Sequence, residues 1–221
     1  MNHIPIIYEN EKIIIIYKQA GISVQGGAGI AHPLDKELPK QLGHEIFLVH
    51  RLDKDTAGLM IVAKSHEAAA AWTKLVASRA VQKEYDAVCI GKFAKKSGTL
   101  TDNVRERGVL KKAVTQYAVT AEYERICAGE VVVLSLVHAT LQTGRMHQIR
   151  IHFAKQNCPI AGDDKHGSFA QNKLLKKECG IKHLLLCASS LTFAPDGHVR
   201  TFAIELPEYM HMDSYSFRRI G

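Results

Sequence analysis

The succession of elements along the chain restricts its fold more than any single segment does. Ile4–Tyr8 and Lys12–Lys18 are Ile-rich runs broken by Glu9-Asn10-Glu11, which predicts two short strands. Leu34–Leu42 suits a short helix that Pro39 limits, and Ile46–His50 and Leu59–Lys64 read as strands. Ser65 is a candidate N-cap for the helical run HEAAAAWTKLVASR. KEYDAVCIGK then reads as a strand with Tyr85 and Ala87 on one face and Asp86 and Val88 on the other. Residues 91–112, rich in Lys, Arg and Gly, predict an exposed excursion. Thr115–Tyr123 and Val131–Ala139 predict a long hairpin around ERICAGE. GRMHQIRIHFAKQ predicts a helix after Gly144, and ELPEY closes the last strand. Strands, helix, strand, hairpin, helix, strand is the order of an α+β fold: a mixed, largely antiparallel sheet with flanking helices, without the regular alternation of a doubly wound parallel sheet. With 221 residues and no long linker or repeat, one domain spanning 1–221 is expected.

Charge points to a class of partner. Lys and Arg number 29 against 22 Asp and Glu, a formal net charge of +7, which favours polyanions through counterion release. No apolar run approaches the roughly 18 residues of a membrane span, and the N-terminus lacks the parts of a secretory signal, so the cytoplasm is the expected compartment. Cys89, Cys127, Cys158, Cys179 and Cys187 form no CxxC pair, and reduced thiols are expected. The Gly-rich QAGISVQGGAGIAHP lacks the spacing of a phosphate loop, so its glycines are assigned to turns.

Three stretches carry candidate chemistry. In VHRLDKDTAGLMIVAKS, Arg51 and Asp53 leave an extended chain on the same side. A guanidinium there holds a carboxylate ionised and directed. The same spacing suits a surface ion pair, or an aspartate capping the loop beside Thr56 and Gly58, and that structural use is the commoner one. In QTGRMHQIRIHFA, a helix starting at Met146 puts His147, Arg150 and Ala154 on one face, with Arg145 and Arg150 near an N-terminus suited to phosphates. A solvated basic face, with His152 as a half-buried spacer, explains the pattern equally. In KEYDA, Tyr85 is either a core ring or a surface on which a flipped base stacks. Metal ligation finds no support: His147 and His152 are five apart and HExxH is absent. Nor does GxSxG occur.

In this order the stretches resemble the RluA-type pseudouridine synthases. VHRLDKDTAGLMIVAKS is similar to the HRLDxxTSG signature, KEYDA to KxYxA, and TGRMHQIRIHFA to TGRTHQIRxH. YENEKIIIIYKQAGISV and PIAGDDKHG resemble two further motifs of that family. Departures are Gln19 for Pro, Ala57 for Ser, Met146 for Thr, and Cys187 where the family has His; none removes a catalytic group. The resemblance implies that Asp53 is the nucleophile, Tyr85 the active-site tyrosine and Arg150 the basic partner of the aspartate. It implies that Arg51 lies at the RNA-facing edge, with Arg145 and His147 binding substrate. It further implies a sheet split into two halves by a catalytic cleft, no cofactor, no metal, a monomer acting on ribosomal or transfer RNA, and a chain that starts at the catalytic core without an S4 domain. A non-catalytic RNA-binding protein of this fold would have lost Asp53, Tyr85 or Arg150. A metal-dependent phosphoesterase using Asp53 and the histidines would be inhibited by chelator.

Overall fold

The computed structural model describes residues 3–27, 29–106, 108–194 and 197–221. Along the chain run β1 (Ile6–Glu9), β2 (Ile13–Lys18), α1 (Leu34–Leu42), β3 (Phe47–Leu48), β4 (Ala57–Ala63), α2 (His66–Ala77), β5 (Gln82–Ile90), β6 (Ser97–Glu106), β7 (Val109–Cys127), β8 (Glu130–Leu141), α3 (Gln148–Lys155), α4 (Phe169–Cys179), β9 (Leu186–Phe193), β10 (Arg200–Ala203) and β11 (Arg218–Arg219). The fold is α+β with largely antiparallel strands, as the element order predicts. It comprises two compact units, one formed by residues 1–82 and 188–204, the other by 83–187 and 205–221.

In the first unit β2 pairs antiparallel with β1 and β4, β3 with β4, and β9 with β10. Every residue of β4 is buried, so this strand reads as a continuous apolar run rather than an alternating one. The Ser65 hydroxyl accepts from the Ala68 N–H at 3.1 Å and starts α2. Trp72 of α2 meets Phe193 edge-on at 5.0 Å, in a core with Ile13, Ile15, Leu59 and Ile61. Strand β3 is shorter than expected. After Leu48 pairs with Val62, the next ladder donor, Ile61 N–H, bonds to His50 Nε2 at 3.0 Å instead of to backbone. The imidazole thereby satisfies the strand while freeing the chain to turn away.

In the second unit β8 pairs antiparallel with β5 and β7, and β7 also pairs with β6 and β11. Residues Ala128 and Gly129, both with positive φ, make the tight turn between β7 and β8. The expected excursion over 91–112 is corrected: Ser97–Glu106 forms a strand that pairs with β7 from Ser97–Ala118 to Glu106–Val109. Val104 is buried while Asn103 and Arg105 are exposed, an alternation masked by the density of charge. Helix α4 has no counterpart in the expected element order, because its basic residues, among them Lys173, Lys176 and Lys177, obscure an apolar period. Its caps are in the sequence: the Ser168 hydroxyl accepts from Gln171 N–H, and Gly180 adopts the left-handed conformation.

Candidate active site

In the first unit, the loop between β3 and β4 carries Arg51, which is exposed, and Asp53, which is half-buried. Leu52 and Val49 are buried and anchor the loop by their side chains. The Thr56 N–H donates to the Asp53 carbonyl at 3.2 Å and closes a turn over Lys54 and Asp55. The Lys54 carbonyl accepts twice, from Gly21 N–H at 2.9 Å and from Lys18 Nζ at 2.9 Å. Lys18 is fully buried at the end of β2. Its ammonium also donates to the carbonyls of Gln19 at 3.1 Å and Ile22 at 3.0 Å, so all its protons have acceptors. Burial pulls its pKa down to about 8, against the opposing pull of the Asp55 and Asp53 carboxylates. Lys18 is therefore a cation sealed beneath the loop that presents Asp53.

Gly58 follows the turn with φ +121, and a Cβ there would lie 2.3 Å from the Ala188 carbonyl oxygen. Only glycine lets β4 leave the loop so close to that backbone.

Tyr85, Arg145, His147 and Arg150 lie in the second unit. Tyr85 is buried on β5 opposite Ala139, with Lys83 two residues before it on the same face. Burial lowers the pKa of Lys83, whose amine lies against Gly144. The helix expected from Met146 begins instead at Gln148, and His147 is its N-cap residue with φ +53. Gln148 is the cause. Its Oε1 accepts from Thr143 Oγ1 at 2.7 Å and Arg145 N–H at 3.1 Å, and its Nε2 donates to the Val114 carbonyl at 3.0 Å and Thr115 Oγ1 at 2.9 Å. That buried amide is fully satisfied and fixes the turn before the helix, taking Met146 and His147 out of it. Arg145 is thereby held with Nε donating to the Lys112 carbonyl at 3.2 Å. His152 is fully buried rather than a half-buried spacer, and burial lowers its pKa.

Arg150 is buried and clamped by Asp163: Nε reaches Oδ2 at 2.9 Å and Nη2 reaches Oδ1 at 2.6 Å, with Asp164 a further 3.4 Å contact. Asp163 Oδ1 also accepts from the N–H groups of Lys165 and His166. Burial alone would raise the Asp163 pKa, but the Arg150 and backbone hydrogen bonds outweigh it and hold the carboxyl below its ordinary value. Asn172 of α4 secures the same loop, accepting from Gly162 N–H at 2.9 Å and donating to the Asp163 carbonyl at 2.7 Å. His166 meets His147 at 2.8 Å between ring nitrogens.

Lys18, Lys83, Gln148, Asp163 and His166 carry no functional expectation from the sequence. Each nonetheless lies inside a quoted motif or beside one. A lysine closing the apolar strand IIIIYK is the available sign of a buried cation.

Among the described residues no group of His, Cys, Asp or Glu is arranged to hold a metal, and no helix is long and apolar enough to cross a membrane.

The sequence profile of the RNA pseudouridylate synthase family matches residues 12–155. The chain belongs to this family. It is 35% identical over 170 residues to ribosomal large subunit pseudouridine synthase C of Rickettsia felis, covering 74% of this chain and 56% of that protein. It is 32% identical over 210 residues to the protein of the same name from Salmonella typhimurium, covering 91% of this chain and 66% of the relative. The corresponding Rickettsia bellii protein is 32% identical over 217 residues, with 93% and 69% covered. The chain thus spans between 56% and 69% of the length of these relatives. The family's fold is found again in human RNA pseudouridylate synthase domain containing 4, with a TM-score of 0.76, 22% identity, and 97% of this chain and 94% of that one covered.

Proposed function

We propose that this family member is an RNA pseudouridine synthase that isomerises uridine in large-subunit ribosomal RNA, with Asp53 as nucleophile. The observation that carries the reading is the support beneath Asp53. A half-buried carboxylate sits on a loop whose backbone is tied down by a sealed ammonium. A merely solvated ion pair would not need that construction; a reagent that must approach one carbon of a nucleotide does.

The reaction detaches uracil from C1′ of its ribose, turns it, and rejoins it through C5. No electrons are transferred and no water is consumed overall, so the chemistry itself calls for neither metal nor redox cofactor. Asp53 acts in one of three ways: attack on C1′, elimination of a ribose proton to a glycal, or addition to C6 of the ring. Arg150 is its basic partner, as the family motif implies, and its part is to orient the carboxylate. The target base leaves its stack to react, and Tyr85 supplies a ring to receive it and a hydroxyl for the late proton transfer from C5.

Phosphates would be held by Arg51, Arg145 and His147, joined by Arg105 and Lys112, which share the outward face of the β6–β7 hairpin. The profile match runs through both compact units, which supports reading them as one catalytic domain; a monomer acting in the cytoplasm is part of the same proposal. Mapping pseudouridines in RNA from cells with and without the gene tests the substrate. Loss of a site in large-subunit ribosomal RNA is expected. Loss confined to transfer RNA would move the substrate, and an unchanged map would contradict the reading.

A further inference from the structure

Two of the five cysteines meet. Cys127 ends β7 and Cys179 ends α4, and their sulfurs are 3.4 Å apart. Both belong to the second unit. A disulfide needs sulfurs about 2.05 Å apart, and these two already touch. Their exposure differs in a useful way: Cys127 is buried, while Cys179 is half-exposed and open to a reagent. Cys89, Cys158 and Cys187 are all buried.

Burial, with the contact to Cys127, pushes the Cys179 thiol up to about 12, against the opposing pull of Arg125. Thiolate is therefore scarce at neutral pH, and the exchange is slow. The position of the pair gives it structural leverage. Asn172, two turns earlier on α4, secures the loop that carries Asp163, whereas the C-terminal end of α4 lies against β7 at these two sulfurs.

We propose that Cys127 and Cys179 form a reversible internal disulfide when the protein meets a low-molecular-weight disulfide oxidant, pinning the end of α4 to the end of β7. The Cys179 thiolate attacks one sulfur of the oxidant and expels one small thiolate, leaving a mixed disulfide. Cys127, once deprotonated, attacks Cys179 Sγ and expels the second small thiolate. The two protons lost from the protein pass to the two small thiolates. The protein is oxidised by two electrons and the oxidant is reduced to two thiols. Excess small thiol reverses both steps.

The test uses the full chain incubated at length with excess oxidised glutathione at about pH 8.5, where the scarce Cys179 thiolate is more abundant than at neutral pH. Intact mass and thermal unfolding are recorded on one aliquot; in another, free thiols are alkylated under denaturing conditions before non-reducing peptide mapping. Expected are a peptide linking Cys127 to Cys179, an intact mass lower by two hydrogens, and an unfolding midpoint raised by several degrees because the unfolded chain is cross-linked. All three should vanish on reduction and in Cys179→Ser. Recovery of both cysteines alkylated would overturn the proposal. So would a glutathione adduct that persists on Cys179 without the internal bond, or a rise in midpoint that survives in Cys179→Ser.

Discussion

Lys18 donates from its buried ammonium to the backbone carbonyl of Lys54, the residue after Asp53, at 2.9 Å. The charge at the end of β2 thus acts on the position of the loop rather than on substrate. Lys18→Met keeps the volume but strands the carbonyls of Gln19, Ile22 and Lys54 without that donor. A loss of stability on the order of 2–4 kcal/mol is expected, by urea denaturation. At a temperature where the variant is folded, the single-turnover rate should fall more than RNA affinity does, since the residues proposed to hold phosphates do not include Lys18. An unchanged rate would reduce Lys18 to a packing residue.

The same ammonium gives a pH signature. With a pKa of about 8, Lys18 loses a proton within an accessible range, and a neutral amine has two N–H groups for its three carbonyl acceptors. Single-turnover rates measured from pH 7 upward should decline above about pH 8. A profile flat through this range would contradict the positioning role.

Asp163→Asn replaces the carboxylate that clamps Arg150 with an amide offering a donor to a guanidinium that needs acceptors. Breaking such a buried pair costs about 3–5 kcal/mol. Because the folded-state pKa of Asp163 lies below the unfolded value of 3.8, its contribution to stability is full above that pH and is lost as pH falls through the folded value. The acid limb of the stability curve should accordingly be shallower in Asp163→Asn than in wild type. Equal acid limbs would show that the pair contributes nothing to pH dependence.

Much of this was legible in the sequence. Ser65 before HEAAAAWTKLVASR marked the start of α2, and the buried run after Gly58 marked β4. Asp53, Tyr85 and Arg150 stand out by motif, and the roles given to them are the proposal made above. What escaped the reading depends on long-range pairing. The Asp163–Arg150 clamp joins residues 13 apart through a loop that α4 secures, and no local period encodes it. The start of α3 was misplaced because a buried glutamine, bonded to residues 33 and 34 positions earlier, overrides local helix preference. Strand β6 was hidden because charge on its outward face dominated the composition.

Tyr85→Phe separates the ring from the hydroxyl. RNA affinity should hold, and the chemical step should slow by about 100-fold or more if the hydroxyl relays the proton. A wild-type rate would leave Tyr85 with stacking alone. Weak binding by a folded variant would contradict both roles.

The most direct test removes the Asp53 carboxylate. Asp53→Ala leaves the loop's backbone ties intact, because Thr56 bonds the Asp53 carbonyl and Lys18 and Gly21 bond the Lys54 carbonyl. The variant should fold and bind RNA, since affinity rests mainly on phosphate contacts. The measurement is tritium release from C5-labelled uridine in RNA from a strain lacking the gene, with enzyme in excess. That hydrogen must leave, because C5 becomes the glycosidic carbon. Wild-type protein should release tritium and Asp53→Ala none, whereas measurable release by the folded variant would contradict Asp53 as the nucleophile.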